Sequence, residues 1–176
     1  MAENRRQSDS LAYVTARGDG QPDAWTQEAG PRGGQRLTEV AEVIPPQDVA
    51  AALRLAPGES AIVRRRSILL DGEVIELADS YYPAAIARGT PLAEQRKIKG
   101  GAPTILAELG HRPRHVVEDL ELRQATEFER ETLALPQGAT ILALLRTTST
   151  EDGSPFEVQF MVMKAPRRLH YEIEVD

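Results

Sequence analysis

The feature that most constrains the fold is a hairpin signal between Ala61 and Pro83. Two runs of strand-forming residues, AIVRRRSILL and EVIELADSYYP, flank the pair Asp71-Gly72. An Asp-Gly pair between two such runs favours a two-residue turn, because that turn requires positive φ angles. The sequence therefore predicts an antiparallel hairpin at the centre of the chain.

The register of this hairpin predicts which side chains share a face. With two residues in the turn, Arg66 lies opposite Leu77 and Arg64 opposite Asp79. Because side chains alternate along a strand, one predicted face carries Ile62, Arg64, Arg66, Ile68, Ile75, Leu77, Asp79 and Tyr81, and the other carries Arg65, Ser67, Glu76, Ser80 and Tyr82. Two arginines and a tyrosine on an apolar face indicate the floor of an anion-binding pocket.

Length and composition narrow the class of protein. The chain has 176 residues, which predicts one domain, and its net charge of −6 argues against binding nucleic acid through an overall positive field. It contains no cysteine, and no apolar run approaches the roughly 18 residues that span a membrane. The N-terminus has no apolar signal segment. We expect a cytoplasmic protein.

The N-terminal 35 residues differ from the rest. They are polar and rich in Gly, Pro, Asp, Gln and Arg, which predicts a linker or arm at 1–35 and a domain at 36–176. Trp25 is the exception, and we expect it to pack back on the domain.

The remaining pattern predicts an α+β fold, a mainly antiparallel sheet with short helices packed on it. The two halves repeat one plan: a strand, a helix, a glycine-containing turn and an Asp-Gly hairpin. Thr126 and Glu129 form a capping-box signal. The predicted strands are 37–44, 61–70, 73–83, 115–125, 141–150, 155–164 and 169–175, and the predicted helical segments are 46–55, 83–88, 102–109 and 127–133.

An ordered series of segments carries a family resemblance. The segments are LRLAPGESAIVRRR, LLDGEVIELADSYYP, GGAPTILAELGHRP, LALPQGATILALLRTTSTEDGSPFEVQF and RRLHYEIEV. From about Leu37 to Val175 the chain resembles the UTRA domain, the effector-sensing half of GntR-type regulators of the HutC subfamily. The resemblance implies a chorismate-lyase-like fold, usually dimeric, with a pocket on the sheet for a small, often anionic, metabolite.

The resemblance also implies site residues. The strand arginine of the family falls on Arg66, with Arg64 on the same side. The SY-x-P motif supplies Ser80 and Tyr81, the G-x-P-hydrophobic-E motif supplies Glu157, and the ligand-reaching loop corresponds to 100–104. The implied ligand-binding residues are Arg64, Arg66, Ser80, Tyr81, Ala102, Thr104 and Glu157.

The chain departs from the family pattern in three ways. Ala78 stands where many relatives carry glutamate, and Met163 stands where many carry tyrosine. Both changes make the pocket more apolar and weaken the case for an amino-sugar phosphate. Residues 1–36 contain no recognition-helix pattern, so we expect any DNA contact to come from an N-terminal domain absent from this sequence.

Each candidate has a structural alternative. Arg64 could pair with Asp79, and Arg66 could lie along the surface. Arg65, on the opposite face, could be solvated or pair with Glu76. Tyr81 could be a core tyrosine, and Glu157 could pair with Arg146 across the second hairpin.

Catalytic and metal chemistry find no support in the sequence. There is no cysteine and no G-x-S-x-G motif, and His111, His115 and His170 lack metal-ligand spacing. We expect no catalytic residue, no metal and no cofactor. The leading hypothesis is a small-molecule sensing domain that controls DNA binding as a homodimer. The alternatives are a chorismate-lyase-like enzyme and a dimerisation module with a vestigial pocket.

Overall fold

A computed structural model describes residues 6–8, 11–18 and 21–173, and side chains from Leu11 to Tyr171 within those ranges. Its centre is a six-stranded sheet in the order β2-β3-β4-β7-β6-β5, with every neighbouring pair antiparallel. The strands are β2 (Gly33–Val43), β3 (Ala61–Leu70), β4 (Glu73–Pro83), β5 (His115–Gln124), β6 (Thr140–Ser149) and β7 (Pro155–Lys164). The predicted antiparallel α+β fold is confirmed.

The predicted repeat is also present. Strand β2 is followed by α3 (Gln47–Ala52) and the β3–β4 hairpin, and β5 is followed by α6 (Glu127–Thr132) and the β6–β7 hairpin. The two halves meet where β4 pairs with β7. Helix α6 begins with the predicted capping box, in which the Thr126 hydroxyl and the Glu129 carboxylate each accept from the other residue's backbone N–H.

The central hairpin forms as predicted, but its register was predicted wrongly. Asp71 and Gly72 both have positive φ, and Leu70 faces Glu73. A bulge at Ile75 then places one extra residue in β4. Beyond the bulge, Arg66 lies opposite Ala78 rather than Leu77, and Arg64 lies opposite Ser80 rather than Asp79. A one-residue shift moves every later side chain of β4 to the other face.

The shift reassigns the two faces of the hairpin. Arg64 and Arg66 share a face with Glu76, Ala78, Ser80 and Tyr82, whereas Tyr81 lies with Arg65 on the opposite face. Arg65 does not pair with Glu76 but contacts Glu39 and Asp79, each at 2.7 Å.

Helices cover both faces of the sheet. On the face carrying Tyr81, α3 packs on the strands through Val49 and the adjoining Leu53, and α6 packs on them through Leu133 at its end. The Arg66 face is covered by α4 (Ala84–Ala87), a 3-10 turn (Pro91–Ala93) and α5 (Ala102–Glu108), which pack on Ile62 and Tyr82. The two layers bury the apolar sides of the sheet and leave a cavity on the Arg66 face.

The segment predicted as an arm has local structure. It contains β1 (Arg6–Ser8), α1 (Leu11–Val14), α2 (Ala24–Ala29) and a 3-10 turn (Gly30–Arg32), and β1 pairs with β8 (Tyr171–Ile173). Trp25 is only 7% exposed, which confirms that it packs on the domain. The domain boundary at residue 35 stays a prediction, and residues 174 and 175 of the predicted last strand lie outside the described residues.

Candidate functional site

A cavity of about 190 Å³ lies on the Arg66 face of the sheet. Its floor follows the strand pairing: Arg66, Ala78, Met161 and Leu144 stand in register across β3, β4, β7 and β6. All four line the cavity. Met163, two residues beyond Met161 on the same face of β7, also lines it. The two positions at which the chain departs from the family pattern, Ala78 and Met163, therefore supply apolar floor.

Arg66 is the cationic group of the cavity floor. Its guanidinium Nη2 donates to the Ser80 hydroxyl at 2.9 Å. Within the described part of the chain, its Nε has no hydrogen-bond partner and no carboxylate lies within ion-pairing distance of it. An anion entering the cavity would give this guanidinium the partner that it lacks.

Arg64 lines the same cavity but is occupied by the chain itself. Its Nη1 donates to the carbonyls of Leu92 at 2.9 Å and Glu94 at 2.8 Å, and its Nη2 donates to that of Arg96 at 2.7 Å. Burial lowers the pKa of Arg64. Its predicted alternative partner, Asp79, lies on the opposite face. Arg64 thus anchors the loop before α5 to the sheet, and that loop forms one wall of the cavity.

Glu157 lies behind the cavity and does not line it. It is 1% exposed and accepts from the Tyr82 hydroxyl at 3.0 Å and from the Gln159 amide at 3.2 Å. Burial raises the pKa of Glu157, although the Tyr82 hydrogen bond and the charges of Arg66 and Arg146 act in the opposite direction. The Glu157 carboxylate therefore holds Tyr82 and Gln159 in place, and both of these residues line the cavity.

The predicted alternative partner of Glu157 is also occupied elsewhere. Arg146 donates to Glu118 on β5 at 2.6 Å and to Gln159 at 2.9 Å. The Glu118 carboxylate in turn accepts from the Tyr171 hydroxyl. This chain of contacts holds the Arg146 guanidinium at the cavity, and no Glu157–Arg146 ion pair occurs among the described residues.

The other predicted residues divide between the cavity and its supports. Ala102 lines the cavity at the start of α5, together with Gly100 and Gly101. Ser80 is buried beneath Arg66, and the Thr104 hydroxyl donates to the Gly100 carbonyl at 3.2 Å. Tyr81 packs with Val63 and Val158 on the other face. Arg64, Arg66 and Ala102 therefore line the cavity, whereas Ser80, Tyr81, Thr104 and Glu157 do not, and the ligand role of all seven stays a prediction.

The sequence did not predict several of the residues that line the cavity. Tyr82 takes the place predicted for Tyr81 because of the bulge. Glu76 also lines the cavity and lies 3.6 Å from Arg167; burial raises its pKa, against the opposing charges of Arg167, Arg66 and Arg146. Tyr13, Trp25 and Glu28 come from the segment predicted as an arm. The one available signal was Trp25, an isolated aromatic residue in a polar stretch.

Neither a metal-ligand cluster nor a membrane-spanning helix occurs among the described residues. From Leu11 to Tyr171, outside the short gap at 19–20, no group of three or more His, Cys, Asp or Glu side chains is placed to hold a metal ion. Among the described residues, no helix has both the length and the apolar character needed to cross a membrane.

The sequence matches a known domain family. Residues 28–167 match the UTRA domain model. The chain is also 27% identical over 129 residues to an uncharacterised HTH-type transcriptional regulator of Streptomyces coelicolor, and the match covers 72% of this chain and 48% of the regulator. The match thus spans about half the length of this curated relative.

Solved structures show the same fold. A structure of a protein assigned to the GntR family of transcriptional regulators is 25% identical, with a TM-score of 0.77, and the match covers 93% of this chain and 69% of that one. The ligand-binding domain of a protein assigned to the same family from Bordetella bronchiseptica is 22% identical, with a TM-score of 0.69 and coverage of 82% and 91%.

A third similar structure is the effector domain of PhnF from Mycobacterium smegmatis, which is 18% identical with a TM-score of 0.70 and coverage of 87% and 93%. The likenesses at these lower identities establish the fold. The family match extends over most of the chain and includes the whole cavity floor. The chain therefore belongs to the UTRA family, the class of effector-binding domain found in GntR-type transcription regulators.

Proposed function

We propose that this domain senses a small anionic metabolite in the cavity on the Arg66 face, and that binding controls a DNA-binding domain elsewhere in a HutC-type regulator. The observation that carries the proposal is the state of Arg66. It is a cavity-lining guanidinium with one hydroxyl partner and, among the described residues, no carboxylate partner. A cavity-lining guanidinium with no carboxylate in direct contact favours a carboxylate or phosphate ligand.

The surroundings of Arg66 support a small and partly apolar ligand. Basic side chains outnumber acidic ones around the cavity, where the acidic lining residues are Asp23, Glu28 and Glu76. The floor beside Arg66 consists of Ala78, Met161 and Leu144. We extend the proposal to the whole regulator as a homodimer, which its family resemblance implies, and as a cytoplasmic protein.

The alternatives to sensing have less support. An elimination enzyme would use Glu157 beside the arginines, yet Glu157 is 1% exposed and engaged by Tyr82. A pure dimerisation module needs no cavity, whereas this domain has one lined by an arginine that has no ion-pair partner among the described residues. Sensing is thus the function that the geometry favours.

Binding of anions to the purified domain tests the proposal. We expect phosphosugars, carboxylates or inorganic phosphate to raise the melting temperature in a concentration-dependent way, because a ligand bound only by the folded state stabilises it. Arg66→Gln should weaken the binding of the responding compound by about tenfold or more, as expected for loss of a charged hydrogen-bond donor.

The neighbouring arginine supplies the matched control. Arg65→Gln removes the same charge from the opposite face, where Arg65 contacts Glu39 and Asp79, and should leave anion affinity nearly unchanged. Equal affinity of the Arg66→Gln variant and the wild type for the responding anion would refute the proposed site.

A further inference from the structure

The N-terminal segment forms part of the cavity wall. Helices α1 and α2, with the described residues between them, are here called the N-terminal cover (residues 11–18 and 21–29). Tyr13, Asp23 and Trp25 of the cover line the cavity. They precede residue 28, where the match to the family begins. This wall therefore lies outside the residues that match the UTRA domain model.

Specific contacts dock the cover onto the sheet. The Trp25 indole Nε1 donates to the Gly34 carbonyl at 3.0 Å, and its ring packs among Ile68, Ala78 and Met161. The Asp23 carboxylate accepts from the Gln35 amide at 2.9 Å. The cover is thus held against β2 and over the floor.

The cover also contacts the opposite wall of the cavity. The Asp23 carboxylate lies 3.4 Å from the Lys97 ammonium, in the loop before α5. On the other side, the Arg146 guanidinium lies over the Tyr13 ring at 5.9 Å. These contacts connect the cover to both sides of the cavity across the sheet.

The cover brings aromatic surface to a cavity that already contains a cation. Trp25 and Tyr13 line it together with the thioethers of Met161 and Met163, and Arg66 lies in the floor. Aromatic faces and thioether sulfur both favour contact with a planar π-system. Trp25 packs against Ala78, which lies opposite Arg66 on the floor, so a small molecule bound at Arg66 lies beside the cover.

We propose that Trp25 and Tyr13 are specificity-determining residues of the effector site, which select an effector with a planar ring attached to its anionic group. The inference rests on the proposed sensing function and adds the class of ligand. The anionic group binds Arg66, the ring lies against the aromatic residues of the cover, and a bound effector thereby adds contacts that hold the cover on the sheet.

The chain contains a built-in reporter for this inference. Trp25 is its only tryptophan, so intrinsic tryptophan fluorescence reports on the cover alone. We would titrate the full chain with benzoate, cyclohexanecarboxylate and acetate. Benzoate and cyclohexanecarboxylate carry the same charge on rings of similar size, but only the benzoate ring is planar. Acetate has no ring.

Benzoate should change the Trp25 fluorescence saturably and bind about five- to tenfold more tightly than cyclohexanecarboxylate, as expected for an aromatic contact beyond area burial. Acetate should bind more weakly than either. Equal affinities for the two ring compounds, or no saturable change with benzoate, would overturn the inference.

Variants separate this inference from the proposed function. Tyr13→Leu, at a half-buried position, and Trp25→Leu should each reduce the preference for benzoate over cyclohexanecarboxylate, measured calorimetrically. Tyr13→Leu keeps the test valid if the Trp25 variant does not fold. Arg66→Gln should weaken both compounds equally. Loss of binding in Arg66→Gln with an unchanged ring preference in Tyr13→Leu would refute the role of the cover and leave the anion site intact.

Discussion

At the scale of single residues, two arginines that are two positions apart on β3 have different tasks. Arg64 donates to the carbonyls of Leu92, Glu94 and Arg96, so its planar guanidinium holds a loop in place. Arg66 has the Ser80 hydroxyl as a partner and faces the cavity. The difference arises from what packs above each side chain, because both project from the same face of one strand.

Replacing Arg64 by lysine should destabilise the domain by about 3 kcal/mol. An ammonium group on a flexible stem cannot satisfy three separated carbonyls, and a buried acceptor left without a donor costs roughly 1–3 kcal/mol. Chemical denaturation at neutral pH measures the loss.

The control is Arg66→Lys, which keeps the charge and gives up one hydrogen bond to Ser80. Its free energy of unfolding should fall by no more than about 1 kcal/mol. Similar losses in the two variants would contradict the division of tasks between the two arginines.

At the scale of elements, the docking of α2 on β2 depends on a close approach at Gly33. A Cβ at this position would lie 2.4 Å from the Ala29 Cβ and 3.0 Å from the Trp25 Nε1. The φ of Gly33 is −84°, which any residue adopts. The glycine is therefore required by the contact between helix and strand, and the backbone conformation does not require it.

Gly33→Ala should push α2 away from the sheet and reduce the free energy of unfolding by about 1–3 kcal/mol, the usual cost of overpacking. Denaturation followed through Trp25 fluorescence measures both the stability and the displaced indole.

The adjacent Gly34 provides a matched substitution. A Cβ there would make an ordinary contact with the Leu69 Cβ at 3.7 Å, so Gly34→Ala should change stability by less than about 0.5 kcal/mol. If Gly33→Ala were equally harmless, the tight packing of α2 on β2 would be disproved.

At the scale of the whole molecule, one sheet separates two unequal layers. On the Tyr81 face, α3 and α6 pack directly on the strands through Val49, Leu53 and Leu133. On the Arg66 face, the N-terminal cover and the loop before α5 bridge the cavity instead of filling it. The cover and this loop span the cavity, so they should open more readily than the sheet.

Hydrogen exchange of the free domain should show this asymmetry. Amides of β4 and β7, which pair at the centre of the sheet, should exchange only through global unfolding. Amides of α2 should exchange about a hundredfold faster, because a six-residue helix has little stability of its own. Mass spectrometry of peptic peptides resolves the two regions. Equal protection of α2 and β7 would show that the cover opens only with the whole domain.

Local signals in the sequence determined the elements and their order. The Asp-Gly turn, the alternation of the strands and the capping box at Thr126 depend on residues close together in the chain, so they predicted the hairpin, the repeated plan and the start of α6. The same signals placed Arg66 on the face that carries the cavity, and the family resemblance followed from their order.

The tertiary structure alone decided which side chains meet. No pattern in the sequence marks the bulge at Ile75. The bulge nevertheless places Tyr82 at the cavity and moves Tyr81 to the opposite face. The tasks of Arg64 and Glu157 depend on carbonyls and hydroxyls far away in sequence. Residues 11–18 and 21–29 belong to the polar stretch predicted as an arm, and their position over the cavity follows from the burial of Trp25 against the floor. Such contacts are long-range, so only the folded chain fixes them.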